Sequence, residues 1–227
     1  MKPRHLLLLG GTGFGKTSLA RMLAAGAPRV LVFDHEEDVT WQGLGSTFRD
    51  PQLALQLLMD HPRDDWQAVL RMPTVAHDLV MLEALMEVTT ERRLPPILVV
   101  MEEATLFSGA QSGMPDQVEA VVTRGRKRGL VLLHIAQETT QLATSVRRQS
   151  YLTVTMGQGE PFPAEVRRMF GEGPLELEPL DPWTVPEYGR HYLTAPADQD
   201  PFTHLRAAIQ ADPPRPLGAD YRPPRSL

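Results

Sequence analysis

Residues Gly10, Gly11, Thr12, Gly13, Phe14, Gly15, Lys16 and Thr17 read GGTGFGKT and fit the spacing G-x-x-x-x-G-K-[ST] without mismatch. Glycines at these positions let backbone N–H groups close around phosphate oxygens. Lys16 can then reach the β- and γ-phosphates, and the Thr17 hydroxyl can hold Mg²⁺. With Ser18, these residues are the candidate ATP-binding set. The context agrees with the motif. An apolar run at residues 5–9 reads as a strand that stops where the loop starts. Residues 18–25 read as a helix whose N-terminus faces the phosphates.

A second cluster of chemistry follows residues 97–101 (ILVVM), a short buried strand that ends in Glu102 and Glu103. A parallel strand covered on both faces presents its C-terminal end at the ligand crevice. Successive residues point to opposite sides of a strand, so the two carboxylates can have different tasks. Glu102 is assigned to the Mg²⁺ shell and Glu103 to the attacking water. The first acid of such pairs is more often Asp, so which carboxylate sits nearer the metal stays open.

Residues 123–137 read TRGRKRGLVLLHIAQ. Four cations, Arg124, Arg126, Lys127 and Arg128, precede an apolar strand that ends in Gln137. A polar side chain at a strand end beside the phosphate loop can sense the γ-phosphate. Arginines at a subunit edge can stabilise transition-state charge on a neighbour's nucleotide. A solvated helix end and a strand cap are the plain alternatives for these residues.

The elements that must position these groups alternate between strand and helix. This predicts an α/β fold with a mostly parallel central sheet flanked by helices. Strands are expected at residues 29–33, 66–72, 97–101, 130–136 and 151–156. Helices are expected at 51–60, 77–92, 116–127, 139–149 and 163–170. Residues 106–114 read as a small-residue loop beyond a catalytic strand end, either a plain connection or the lining of a pore. Residues 1–180 are expected to form the ATPase core. Residues 181–227 form an extension that ends in a proline-rich tail at 212–227.

Composition narrows the function classes. The chain has 227 residues, room for one domain with a sizeable core. It contains no cysteine, which excludes disulfides and thiolate metal sites. A net charge of −5 argues against a chain that is a basic nucleic-acid binder as a whole. No apolar run is long enough for a membrane span, and a strand beginning at residue 5 leaves no place for a signal peptide. Asn is absent and only Lys2, Lys16 and Lys127 are lysines. Few Asn and Cys suit a thermophile, and GC-rich codon usage explains the counts equally well. His134 reads as a satisfied core residue. His35 with Glu36 and Glu37 reads as a solvated turn rather than a metal site, and Arg167 and Arg168 as surface charge.

Taken together, the phosphate loop, the acidic pair, R-G-R-K-R-G, the apolar strand and A-Q resemble the FtsK–HerA group of DNA-pumping ATPases. The resemblance covers roughly residues 4–156 and is most specific at GRKRGLVLLHIAQ. Asp34, after the second strand, also suits the group. The resemblance implies a RecA-like P-loop NTPase core, a homohexameric ring, ATP between subunits and double-stranded DNA in a central channel. The compact length is most similar to the genome-packaging ATPases of membrane-containing icosahedral DNA viruses. That implies a place in the host cytoplasm or virion, and a capsid vertex or portal-like protein as partner. The trans-acting arginine is sought among Arg124, Arg126 and Arg128, with Arg147 and Arg148 as the alternative. Competing functions are a cellular or plasmid DNA pump, a small-molecule kinase on the same loop, and a non-hydrolysing nucleotide switch. The acidic pair speaks against the kinase, because phosphate transfer to a metabolite needs no water-activating carboxylate.

Overall fold

The computed structural model describes residues 5–11, 16–92, 94–107, 113–137, 141–156 and 191–194. They form an eight-stranded sheet in the order β3-β4-β2-β5-β6-β1-β7-β8. The strands are β1 (His5–Gly10), β2 (Arg29–Phe33), β3 (Ser46–Phe48), β4 (Trp66–Leu70), β5 (Ile97–Met101), β6 (Leu130–Ala136), β7 (Ser150–Met156) and β8 (His191–Thr194). Neighbouring strands pair in parallel except β7 and β8, which are antiparallel. The expected α/β fold with a mostly parallel sheet is therefore the one observed.

Helices cover both faces, and the alternation along each strand shows why. Leu7, Leu9, Leu31, Phe33, Val99 and Leu132 turn to one side. There they meet α2 (Pro51–Asp60), α3 (Val75–Arg92), α4 (Asp116–Arg124) and α5 (Thr144–Gln149). Leu6, Leu8, Val30, Val32, Leu133 and Ile135 turn to the other side, against α1 (Lys16–Ala25) and the segment carrying Trp41 and Leu44. A strand buried on both faces reads as a continuous apolar run, which is why β1, β2, β5 and β6 are visible in the sequence.

Local signals set several boundaries. Asp50 caps α2 by accepting from the Gln52 N–H at 2.8 Å, and Pro51 occupies the first turn, where its missing N–H is harmless. The α-helical part of α4 ends at Arg124 rather than at residue 127. The chain tightens there into a 3-10 turn, Gly125–Arg128, and reverses at Gly129 with φ +86°, a conformation that favours glycine. His5 ties three elements together. Its Nε2–H donates to the Val122 carbonyl of α4 at 3.0 Å, and its Nδ1 accepts from the Leu132 N–H of β6 at 3.0 Å.

Other differences from the sequence reading have local causes. α1 begins at Lys16 and α3 at Val75, each two residues before the expected start. β4 stops at Leu70; the Arg71 N–H still donates to the Phe48 carbonyl of β3 at 2.8 Å, while its side chain bonds Asp34. Of the helix expected over residues 139–149, Thr144–Gln149 is helical and residues 141–143 are not, with Ala143 at φ −56° and ψ 144°; residues 139 and 140 lie outside the described residues. β3 was not expected. It has three residues, and only Phe48 among them is apolar and buried. Leu106 is not loop but closes a 3-10 turn, Ala104–Leu106. His134 is in the core at 1% exposure, but among the described residues neither ring nitrogen has a hydrogen-bond partner, so the ring is not satisfied there, contrary to expectation. Burial pushes its pKa down to about 3 and keeps the ring neutral. The helix expected at 163–170, the core boundary near 180 and the tail at 212–227 lie outside the described residues. β8 comes from within the expected extension and joins the main sheet.

Candidate active site

β1 and β5 both end at the same edge of the sheet, with β6 between them. β1 leads into the phosphate loop and β5 into the acidic pair, so the two sequence motifs meet across one intervening strand. Thr12, Gly13, Phe14 and Gly15 lie outside the described residues. The flanks of the loop are described. Gly10 is the last residue of β1, and Gly11 lies just beyond it. Lys16 opens α1, is nearly buried, and donates from Nζ to the Gly11 carbonyl at 2.9 Å. Ser18 is half-buried in the first turn of α1.

Thr17 and Glu102 are in direct contact. The Thr17 hydroxyl donates to Glu102 Oε1 at 2.9 Å, and the other carboxylate oxygen, Oε2, accepts from the indole N–H of Trp41 at 3.0 Å. Burial pushes the Glu102 carboxyl up to about 7, against the pull of these two donors. The carboxyls of Asp38 and Asp34 raise it a little further. Glu103 is set apart from it by backbone geometry. It adopts φ +51° and ψ +64°, in the left-handed region, and its carboxylate accepts from the Thr105 hydroxyl. A non-glycine residue held there is a local strain that clusters at functional sites. Burial lowers the Lys16 pKa, and the charges of Glu103 first and Glu102 second act against that shift. One cation and two carboxylates thus share the corner where phosphates are expected.

A second layer supports this corner. Asp34 is fully buried after β2, where its Oδ1 accepts from the Asp38 N–H at 2.9 Å and its Oδ2 from Arg71 Nε at 2.9 Å. Arg71 Nη2 also reaches the Asp38 carbonyl at 2.8 Å. Burial raises the Asp34 pKa, while the Asp38 N–H and Arg71 hold it down. These bonds fix the segment after β2, which turns through a 3-10 element, Val39–Trp41, and delivers Trp41 to Glu102. The sequence reading singled out Asp34 but gave no role to Asp38, which it read as part of the same acidic cluster, nor to Trp41, Arg71 or Thr105. Their chemistry lies in long-range contacts, and no local motif marks them. A bulky aromatic inside an acidic, polar loop was the only available sign.

Gln137 follows Ala136, which is in register with Leu9 of β1. It is exposed at the end of β6, the strand next to the one that leads into the phosphate loop. The arginines are elsewhere. Arg124, Arg126 and Arg128 precede β6 and so occupy the opposite edge of the sheet from their own phosphate loop. A seven-residue strand at about 3.3 Å per residue puts roughly 20 Å between the two edges. Arg124 and Arg126 are exposed, whereas Arg128 is half-buried and donates from Nη1 to the Met86 carbonyl of α3 at 2.7 Å. Arg147 and Arg148, at the end of α5 and before β7, lie at the same far edge; Arg147 Nη2 donates to Thr144 Oγ1 at 3.3 Å.

The donors also suit a magnesium ion. Mg²⁺ keeps several waters and is held by one or two protein groups together with substrate phosphates. A hydroxyl and a carboxylate already in contact beside a phosphate loop fit that requirement. Among the described residues, no cluster of three or more His, Asp or Glu side chains forms a self-sufficient metal cage. His35 is not part of one. Its Nδ1 lies 3.6 Å from Oδ2 of the buried Asp78.

No family model and no curated protein matches the chain. Solved structures do. The genome packaging NTPase B204 from Sulfolobus turreted icosahedral virus 2, in complex with sulfate, aligns with a TM-score of 0.58 at 15% identity, over 75% of this chain and 82% of that one. The same protein in complex with ATP-gammaS aligns with a TM-score of 0.58 at 15% identity, over 74% and 82%. EssC (ATPases 2 and 3) from Geobacillus thermodenitrificans aligns with a TM-score of 0.51 at 14% identity, over 98% of this chain and 47% of that one. At such identities the likeness is one of fold. It bears out, at that level, the resemblance drawn from residues 4–156: the chain has the fold of a P-loop NTPase.

Proposed function

We propose that the chain is an ATP-driven translocase of double-stranded DNA, of the kind that packages a viral genome, acting as a homohexameric ring. The observation that carries this reading is the Thr17–Glu102 hydrogen bond. It joins the two nucleotide motifs across β6, with Glu103 the next residue and its charge felt at Lys16. The fold shared with a viral packaging NTPase supports the same reading.

In this mechanism residues 10–18 bind the triphosphate and Lys16 neutralises its terminal oxygens. Thr17 and Glu102 are the side chains that would hold Mg²⁺, which would supply positive charge to offset that of the phosphates. Glu103 orients a water and takes its proton as the water oxygen bonds to the γ-phosphorus. The bond to the bridging oxygen of ADP breaks in the same displacement, releasing ADP and phosphate. Gln137 senses the γ-phosphate from the end of β6. The arginines at the far edge cannot serve their own nucleotide, so one of them acts on a neighbour's. The tie between Arg128 and Met86 makes Arg124 and Arg126 the freer candidates, with Arg147 and Arg148 as the alternative. The resulting ring motion drives duplex DNA, in the host cytoplasm or at a virion, against a capsid vertex or portal-like partner.

The first test is turnover without any acceptor. Incubation with ATP and Mg²⁺ should release phosphate and ADP in equal amounts, and Lys16→Ala should abolish this. No release without an added metabolite would favour a kinase or a non-hydrolysing switch.

A further inference from the structure

Two tryptophans are buried to the same 1% exposure, but their polar ends are treated differently. Nε1 of Trp66 has no hydrogen-bond partner among the described residues, and its ring packs in the core. Nε1 of Trp41 donates to Glu102 Oε2. The residues just before Trp41 are held by three further bonds. Asp38 Oδ1 accepts from the Thr40 N–H at 2.7 Å, Arg71 grips the Asp38 carbonyl, and Arg21 of α1 donates from Nε to the Thr40 carbonyl at 3.2 Å. The segment is therefore anchored to the same helix that carries Thr17.

We infer that Trp41 is a positioning residue for Glu102, fixing the carboxylate so that Oε1 alone faces Thr17 and the metal corner. This rests on the reading of Glu102 as the metal-site carboxylate. A glutamate is one methylene longer than the aspartate more usual at this position, and its terminal torsion is broad. With one donor it could rotate about the Thr17 contact. Donors on both oxygens fix its plane. An indole N–H suits the second site because it is a donor only and cannot compete for the cation. Partners of this kind orient metal-binding side chains, and losing one typically reduces metal affinity or activity by about 10–100-fold.

The test measures binding of the non-hydrolysable analogue AMPPNP with and without Mg²⁺, in the absence of DNA. Trp41→Phe keeps a ring and removes the N–H. It should lower the Mg²⁺-dependent affinity by about tenfold or more, and leave the metal-free affinity as in wild type. In a Glu102→Gln background the same change should have no further effect, because the two residues act as one unit. Val30→Ala removes methyl groups from the same apolar cluster. It should lower the melting temperature without moving the Mg²⁺ dependence.

Wild-type Mg²⁺ dependence in Trp41→Phe, an additive effect with Glu102→Gln, or an equal shift in Val30→Ala would each overturn the assignment. If Trp41→Phe does not fold, Trp66→Phe with Trp183→Phe leaves Trp41 as the only tryptophan. Its emission should change when Mg²⁺ is added to the AMPPNP complex, and Glu102→Gln should remove that response; an emission that ignores Mg²⁺ overturns the proposal. Loss of DNA stimulation alone would count against the translocase and leave this result standing. Wild-type binding that ignores Mg²⁺ would sink the metal role of Glu102 as well.

Discussion

Glu102 and Glu103 are neighbours in sequence with opposite settings. Glu102 is nearly buried between two donors, and its pKa is raised to about 7 by that burial. Glu103 sits on a left-handed backbone beside the Lys16 charge. Glu103→Gln should therefore bind ATP normally and turn it over at least ~100-fold more slowly, the range for loss of general-base help. Turnover and equilibrium nucleotide binding measured on both glutamine variants check this. A slow Glu102→Gln beside an active Glu103→Gln, each binding ATP, would show the roles to be exchanged.

Another carboxylate carries a stability prediction. Asp78 is buried in the first turn of α3 with no hydrogen bond among the described residues, His35 Nδ1 lying 3.6 Å from its Oδ2, and burial raises it from 3.8 to about 7. The unfolded chain loses this proton first as pH rises. The stability Asp78 contributes is thus complete below pH 3.8 and is lost between there and pH 7. Asp78→Asn should match wild type near pH 4 and exceed it by up to about 4 kcal/mol above neutral pH. Urea unfolding at the two ends of that range reads the difference.

At the scale of elements, the legible parts of the chain were those with a local period or motif. β1, β2, β5 and β6 appeared as apolar runs because both of their faces are covered. The phosphate loop appeared as a fixed spacing. β3 did not, since three residues with one buried side chain make no pattern. The start of α5 was misplaced because the extended backbone at Ala143 is not encoded by any capping residue there. In the site, Lys16, Thr17, Glu102 and Glu103 were readable, while Trp41 and Arg71 were not. They reach Glu102 and Asp34 from 61 and 37 residues away, and tertiary contacts of that range leave no spacing to read.

The arginine edge belongs to this scale too. β6 carries Gln137 at one end and Arg124–Arg128 just ahead of the other. One strand therefore runs from the proposed nucleotide site to the edge that the proposed ring would present to a neighbour. Arginine variants at 124, 126 and 128, mixed with Lys16→Ala chains, should regain part of their ATPase activity in mixed rings. No recovery at any ratio, with assembly shown to be normal, would assign these arginines a structural or cis role.

For the whole molecule, charge constrains how the proposed duplex substrate could be held. With a net charge of −5, a single chain is a poor ligand for a phosphate backbone, and a ring can gather exposed arginines from several subunits around one channel. Among the described residues no helix is long and apolar enough to cross a membrane. DNA binding should then be weak for the monomer and strongly salt-dependent for the ATP-bound ring, with a slope of about −0.9 in log affinity against log salt for each phosphate neutralised. Duplex should be favoured over single strands with little sequence preference, because backbone contacts carry no base information. The most direct measurement is the ATPase rate with and without duplex DNA, across protein concentrations that span ring assembly. A DNA translocase turns over faster with duplex once rings form, and high salt removes the gain. Turnover that ignores duplex at every concentration, including those where rings are shown to be present, would contradict the assignment.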